Sequence, residues 1–193
     1  MPKISEFHCI MLISNVRSVL EHGVLCHDLA SRLPHESVAM DEMQDIRNNK
    51  QIPGGLQLHQ YANLYFHARN PMLCKRQARI SELCVLRIDT KVGHEPGVVF
   101  TDGNATSDYV RFLPYAQVRQ LPFDLIFAMD WTDPDHTVYY RKKFHKCAEI
   151  LVPNRVDPRF IVGAYVCDEG TKERLAGTGF SADIQIDKTL FFQ

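Results

Sequence analysis

The residue of this chain with the clearest chemical potential is Glu149, set in Cys147-Ala148-Glu149-Ile150-Leu151-Val152-Pro153, an otherwise apolar run closed by a proline. Such a run reads as a buried strand rather than a helix. Side chains alternate across a strand, so Cys147, Glu149 and Leu151 share one face, and Ala148, Ile150 and Val152 the other. Glutamate is disfavoured inside strands and is rarely buried without a partner. Either the carboxylate sits at a sheet edge and reaches water or a neighbouring Lys or Arg, or it is a catalytic group on a rigid strand at the floor of a cleft. Cations for it occur in two places. Arg47 and Lys50, three apart, share a face with Met43 and Ile46 on a predicted helix, Met40 to Lys50. Arg141-Lys142-Lys143-Phe144-His145-Lys146 is the most basic stretch and lies just before Glu149. Cations with an aromatic suit a single nucleic-acid strand, by phosphate contact and base stacking; the same composition also makes a solvated basic turn. The loop Trp131 to His136 adds another stacking residue.

Several chemistries lack their signatures. There is no Gly-x-Gly-x-x-Gly after a strand, no phosphate loop with Gly-Lys-Ser/Thr, no His-Glu-x-x-His helix and no Gly-x-Ser-x-Gly elbow. The nine histidines are scattered, as surface and core histidines usually are, and no metal site is expected.

The elements that must position these groups are only partly regular. Residues 7 to 13 form the first predicted strand, after which Ser14-Asn15 caps a helix from Val16 to Glu21 that stops at His22-Gly23. A loop at Ile52-Pro53-Gly54-Gly55 precedes a short strand, Leu64-Tyr65-Phe66, then a turn at Arg69-Asn70-Pro71 and a short helix, Met72 to Arg79. Glu82 to Asp89 alternates as a strand, Val98 to Thr101 is another, and Asp102-Gly103-Asn104 turns after it. A helix is expected over Asp124 to Asp130, then strands Phe160 to Val166 and Ala182 to Phe192 flanking a helix, Asp168 to Ala176. Helices concentrate in the first half and strands in the second, without regular βαβ alternation: an α+β or mixed α/β chain.

Composition bounds the rest. A chain of 193 residues, 45% hydrophobic, is long enough for one domain with a proper core. No apolar stretch approaches the roughly 20 residues needed to span a bilayer, and the first residues lack a secretory layout. Six cysteines with no Cys-x-x-Cys pair point to free thiols in a reducing cytoplasm. The net charge of -1 argues against a uniformly basic coat while leaving room for a local basic groove.

Four segments in order resemble the DarT family, bacterial toxin-type enzymes that ADP-ribosylate single-stranded DNA. They are Asn15 with His22-Gly23 after the opening strand, Gly54 to Phe66 with Asn70-Pro71-Met72-Leu73, Val99-Phe100-Thr101-Asp102-Gly103-Asn104-Ala105, and Ala148-Glu149-Ile150-Leu151-Val152. The resemblance implies an ADP-ribosyltransferase-like mixed β-sheet core with flanking helices, a single α+β domain over 1–193. It implies NAD as co-substrate and a base of single-stranded DNA, thymine or guanine, as acceptor. It further implies a toxin role and a macrodomain antitoxin of the DarG type as partner. ADP-ribosylation of RNA or protein, or a nucleic-acid-binding relative with weakened catalysis, are the alternatives. Glu149 matches the family's catalytic glutamate. Lys50 stands where the family has its catalytic arginine, and Arg47, one turn back, is the other candidate cation; Lys50 keeps the charge but loses the bidentate fork. His8, Asn15, Tyr65, Phe66 and Met72 are the implied NAD-side residues, although strand aromatics also serve as core. His8 stands seven residues before Asn15 where the family has six, and one residue of slip reverses a strand side chain unless a bulge absorbs it. Asn104, Trp131, Lys142, Lys143 and Lys146 are the candidate acceptor-side residues.

Overall fold

The computed structural model describes residues 4–37 and 41–193, excluding the side chains of 41–43. The expected helix start at Met40 and the Met43 side chain lie outside the described residues. In chain order the elements are β1 (Glu6–Leu12), α1 (Val16–His22), β2 (Val24–Leu25), α2 (His27–Ala30), α3 (Asp41–Asn48), β3 (Tyr61–Tyr65), α4 (Pro71–Cys74), β4 (Leu83–Asp89), β5 (Val99–Thr101), β6 (Phe112–Leu113), α5 (Phe123–Ile126), α6 (His136–Lys146), β7 (Glu149–Pro153), β8 (Arg155–Val156), β9 (Ile161–Val166), α7 (Glu169–Ala176) and β10 (Asp183–Ile186). The main sheet has the order β10-β9-β4-β1-β3-β7-β5-β6, and β2 pairs with β8 apart from it. Only β9 and β10 run parallel in the main sheet. The architecture is α+β, a mixed sheet with flanking helices.

Central strands are apolar on both faces because both are covered. Phe7, Cys9 and Met11 of β1 join Phe66, Phe100 and Ile150 on one side, while Ile10 and Leu12 pack with Leu73, Leu83 and Phe191 on the other. The expected faces of the Glu149 strand hold: Ala148, Ile150 and Val152 enter the larger core, and Leu151 packs with Leu58 and Tyr61 on the far side. β1 pairs with β4 without a bulge from Glu6 to Leu12. His8 lies opposite Tyr65, and Tyr65 opposite Glu149. Directly paired residues share a face, so one row crosses three strands and puts His8, Tyr65 and Glu149 on the same side.

The structure corrects several expectations. Three inner strands, β1, β3 and β4, come from the first half of the chain. Asn15 makes no side-chain cap on α1; its amide is used elsewhere. Residues 124–130 give only the end of the short α5, and residues 72–79 split into α4 and a 3-10 turn over Gln77–Glu82. The last strand stops at Ile186, and Leu190-Phe191-Phe192 is a turn, with Phe192 at φ 65°. The basic run is neither strand nor turn but the second half of α6. Asp135 caps that helix by accepting from Thr137 N and Val138 N, and Lys143, His145 and Lys146 occupy the last turn, where the helix dipole favours positive charge.

Candidate active site

Glu149 opens β7 between β3 and β5, and its side chain is almost wholly buried, with the residue 2% exposed. Each carboxylate oxygen has a donor: Ala105 N–H to Oε1 at 3.0 Å and Arg47 Nη1 to Oε2 at 3.1 Å. The Glu149 backbone N–H donates to Thr101 Oγ1 at 2.8 Å. Two segments far apart in sequence therefore fix the side chain, and one of them, residues 101–105, also anchors its backbone. Arg47 arrives from α3, and its Nη2 is buried with no hydrogen-bond partner. A buried guanidinium nitrogen without an acceptor is costly unless something else supplies one. Both residues line a cavity of about 540 Å³, a size typical of small-molecule sites.

Five other predicted residues line it too: Asn15, Tyr65, Met72, Asn104 and Lys143. Asn15 Nδ2 donates to Glu36 O at 2.7 Å and its Oδ1 accepts from Glu36 N at 3.2 Å, clamping the loop at the cavity rim. Burial, then the neighbouring Glu149, raises the Tyr65 phenol above its usual range. Cys147, expected on the Glu149 strand, instead caps the C-terminus of α6 because β7 begins at Glu149; its thiol is pushed up to about 12 by burial and by Glu149. Asn104 accepts from Thr106 N at 3.0 Å and from Thr106 Oγ1 at 2.8 Å, forming the turn that aims Ala105 N–H at the carboxylate.

The two candidate cations separate. Arg47 is on Glu149; Lys50 donates instead to Ser107 O, lies 6.0 Å from the Phe112 ring, and does not line the cavity. Burial lowers the Lys50 pKa.

On the acceptor side Lys143 joins Asn104 in lining the cavity, with Tyr139 and Tyr140 rings 5.4 and 6.0 Å from its ammonium. Lys142 pairs with Asp133 at 2.8 Å and is outside it. Lys146 is 1% exposed, donating to Ile126 O at 2.9 Å and to His67 Nδ1 at 2.8 Å. Burial lowers it to about 8, and burial and Lys146 together lower His67 to about 3, consistent with a neutral imidazole accepting there. Lys146 therefore braces the fold rather than a phosphate. Trp131, 9% exposed with its edge on Phe192, and Phe66, among Phe7, Phe100 and Phe123, are packing residues. His8 faces the Glu149 side but is covered: its Nδ1 accepts from Ala68 N at 3.0 Å, leaving Nε2–H for Glu6 at 3.1 Å.

Sequence reasoning missed Tyr140, 62% exposed at the cavity mouth, because its spacing from Lys143 has meaning only on a helix. It also missed the Ala105 amide, which no side-chain motif announces. Among the described residues, no group of three or more His, Cys, Asp or Glu could hold a metal ion, and no helix is long and apolar enough to cross a membrane.

A rigid buried carboxylate and an arginine on the wall of a ligand-sized cavity have the chemistry to stabilise developing positive charge on an anionic small molecule. A family model described as ssDNA thymidine ADP-ribosyltransferase, DarT, matches residues 8–192, and the chain belongs to the DarT family of ADP-ribosyltransferases. A DNA ADP-ribosyl transferase of Thermus sp. (strain 2.9) is 30% identical over 164 residues, covering 78% of this chain and 76% of its own. A DNA ADP-ribosyl transferase-DNA ADP-ribosyl glycohydrolase fusion protein of Thermosipho africanus (strain H17ap60334) is 28% identical over 204 residues, 99% of this chain. The chain spans 50% of that relative's length. The Thermus sp. 2.9 DarT in complex with ADP-ribosylated ssDNA shares the fold, with a TM-score of 0.86 at 24% identity over 98% of this chain and 97% of its own.

Proposed function

We propose that this chain transfers ADP-ribose from NAD to a thymine base of single-stranded DNA, as one catalytic domain working in the cytoplasm as a toxin. The observation that carries this reading is Glu149 held between Ala105 N–H and Arg47 Nη1 inside the cavity. NAD supplies the ADP-ribosyl group, whose bond to nicotinamide breaks as positive charge develops on the ribose.

The residues present fit that co-substrate. Arg47 on the cavity wall supplies positive charge for a pyrophosphate, while Asn15, Tyr65 and Met72 line the same space. Glu149 lies where a fixed negative charge stabilises the cationic ribose, and because its two donors hold it before reaction, no reorganisation is needed in the transition state. The same carboxylate takes the proton from the attacking base nitrogen as general base. Lys143 and Tyr140 at the cavity mouth pair a phosphate-binding cation with a ring on which a base can stack. A glycohydrolase of the DarG type is the partner this reading calls for, in line with the enzyme pair named in the Thermosipho fusion.

The test is incubation with NAD and separate pools of single-stranded DNA, duplex DNA, RNA and protein, read by intact mass, with Glu149→Gln alongside. We expect one ADP-ribose on thymine-containing single strands and at least a ~100-fold loss in Glu149→Gln. Adducts on guanine, RNA or protein would reassign the acceptor. No adduct and no nicotinamide release would overturn the reading.

A further inference from the structure

Helix α3 carries Arg47, and among its described side chains no apolar one is buried. Asp45, Ile46 and Asn48 are exposed, and of its described side chains only Gln44 and Arg47 turn toward the protein. Arg47 meets Glu149, as above. Gln44, one turn earlier, meets His59: Oε1 lies 2.9 Å from His59 Nε2. His59 is buried in a 3-10 turn, Leu58–Gln60, that runs straight into β3. That turn is rigid by construction, since Leu58 and Tyr61 on either side are core residues and Gln57 and Gln60 close a reciprocal capping box. The far side of the imidazole is also occupied. His27 of α2 stacks on it at 4.1 Å between centroids and 29° between planes, and Asp28 Oδ1 lies 4.0 Å from Nδ1. The histidine cannot turn away from Gln44 without breaking that stack.

We propose that His59 is a positioning residue: through Gln44 it holds α3 in the place where Arg47 can engage both Glu149 and the co-substrate. His59 does not line the cavity, whereas Gln44 and Arg47 do, so its influence passes through the helix. Its charge is not the working feature. Burial, then His27, holds its pKa below the usual histidine range, with Asp28 opposing and Arg47 adding to the depression. A neutral ring facing Gln44 Oε1 donates through Nε2–H. The role rests on the NAD-transferase reading, because it is the co-substrate end of Arg47 that α3 must place.

The experiment is steady-state release of nicotinamide with single-stranded DNA for the wild type and for His59→Leu, Gln44→Leu, the double variant and His59→Gln. Thermal melting would be followed in parallel. Each Leu variant is expected to raise the KM for NAD about fivefold to tenfold, the worth of one partly buried hydrogen bond, with kcat changed less than threefold. The double variant should be no worse than either single one, because both remove the same link. His59→Gln, which restores a donor, should return KM to within about threefold of wild type. If His59→Leu fails to fold, Gln44→Leu on the exposed helix decides alone. An unchanged KM in Gln44→Leu, or effects that multiply in the double variant, would overturn the assignment; multiplying effects would mean Gln44 touches the co-substrate itself. A wild-type chain that releases no nicotinamide would instead overturn the transferase reading, and the assignment with it.

Discussion

At the scale of single residues, the site turns on which cation serves Glu149. Lys50, which the resemblance alone sets in the place of the family arginine, has its ammonium committed to Ser107 O, while Arg47 reaches the carboxylate and lines the cavity. Arg47→Ala is expected to lower kcat/KM for NAD by ~100-fold or more, comparable to removing an oxyanion-hole donor. Lys50→Ala should cost less than about tenfold, through loosening of the turn at Ser107. Arg47→Lys should fall between them, keeping charge but losing the fork. Nicotinamide-release kinetics on the three variants check the order, and a larger loss in Lys50→Ala than in Arg47→Ala would return the role to Lys50. Glu149 was legible in the sequence because a carboxylate in an apolar strand conflicts with its surroundings. Lys146 and Trp131 were not: both have the types expected of a nucleic-acid surface, and only tertiary packing, against Ile126 and His67 for one and Phe192 for the other, removes them from it.

At the scale of elements, α6 is tied to the turn that carries the Glu149 donor. Asn104 N–H donates to Phe144 O at 3.2 Å, and the Phe144 ring lies so close over Gly103 that any Cβ there would overlap it. The glycine is thus required by contact rather than by backbone angle. Gly103→Ala is expected to destabilise the fold by about 1–3 kcal/mol through overpacking. By shifting Ala105 N–H off the carboxylate, it should also lower kcat by about tenfold. Calorimetry and kinetics measure the two, and Phe144→Ala in the same background should recover part of both; no recovery would place the damage elsewhere. The helix itself was hard to read from sequence. Its last six residues are Arg141-Lys142-Lys143-Phe144-His145-Lys146, with no apolar stripe to set a period, and its one legible signal is the Asp135 cap. The opposite error occurred at the C-terminus, where Leu190-Phe191 reads as strand because it is buried, yet the chain there is turning.

At the scale of the whole molecule, the strand faces were legible from alternation, but the sheet order was not, since pairings such as β1 with β4 and β3 with β7 join distant segments. Strands β1, β4 and β9 are knit by a polar network no local pattern foretells. Glu6 accepts from Arg87 Nε at 2.8 Å, Tyr165 OH at 2.8 Å and His8 Nε2 at 3.1 Å. Burial alone would raise the Glu6 pKa, but these donors hold it down, from 4.5 to about 2. A carboxyl depressed in the folded state stabilises the fold above its unfolded pKa, and that contribution fades as pH falls from 4.5 toward 2. It is worth on the order of 3 kcal/mol. Glu6→Gln should therefore lower stability at pH 7 and flatten the acid limb in that window, as denaturant melts at a series of pH values would report; an unchanged limb would assign acid sensitivity to other groups. The order of the sheet has one more consequence. β5 and β6 join it only through β7, which is made some forty residues later. A chain still emerging from the ribosome, built N-terminus first, already contains Arg47, Tyr65 and Ala105 but lacks the strand that joins β5 to β3. The strand that completes this part of the sheet and the carboxylate at the centre of the candidate site therefore arrive together, as one segment of chain.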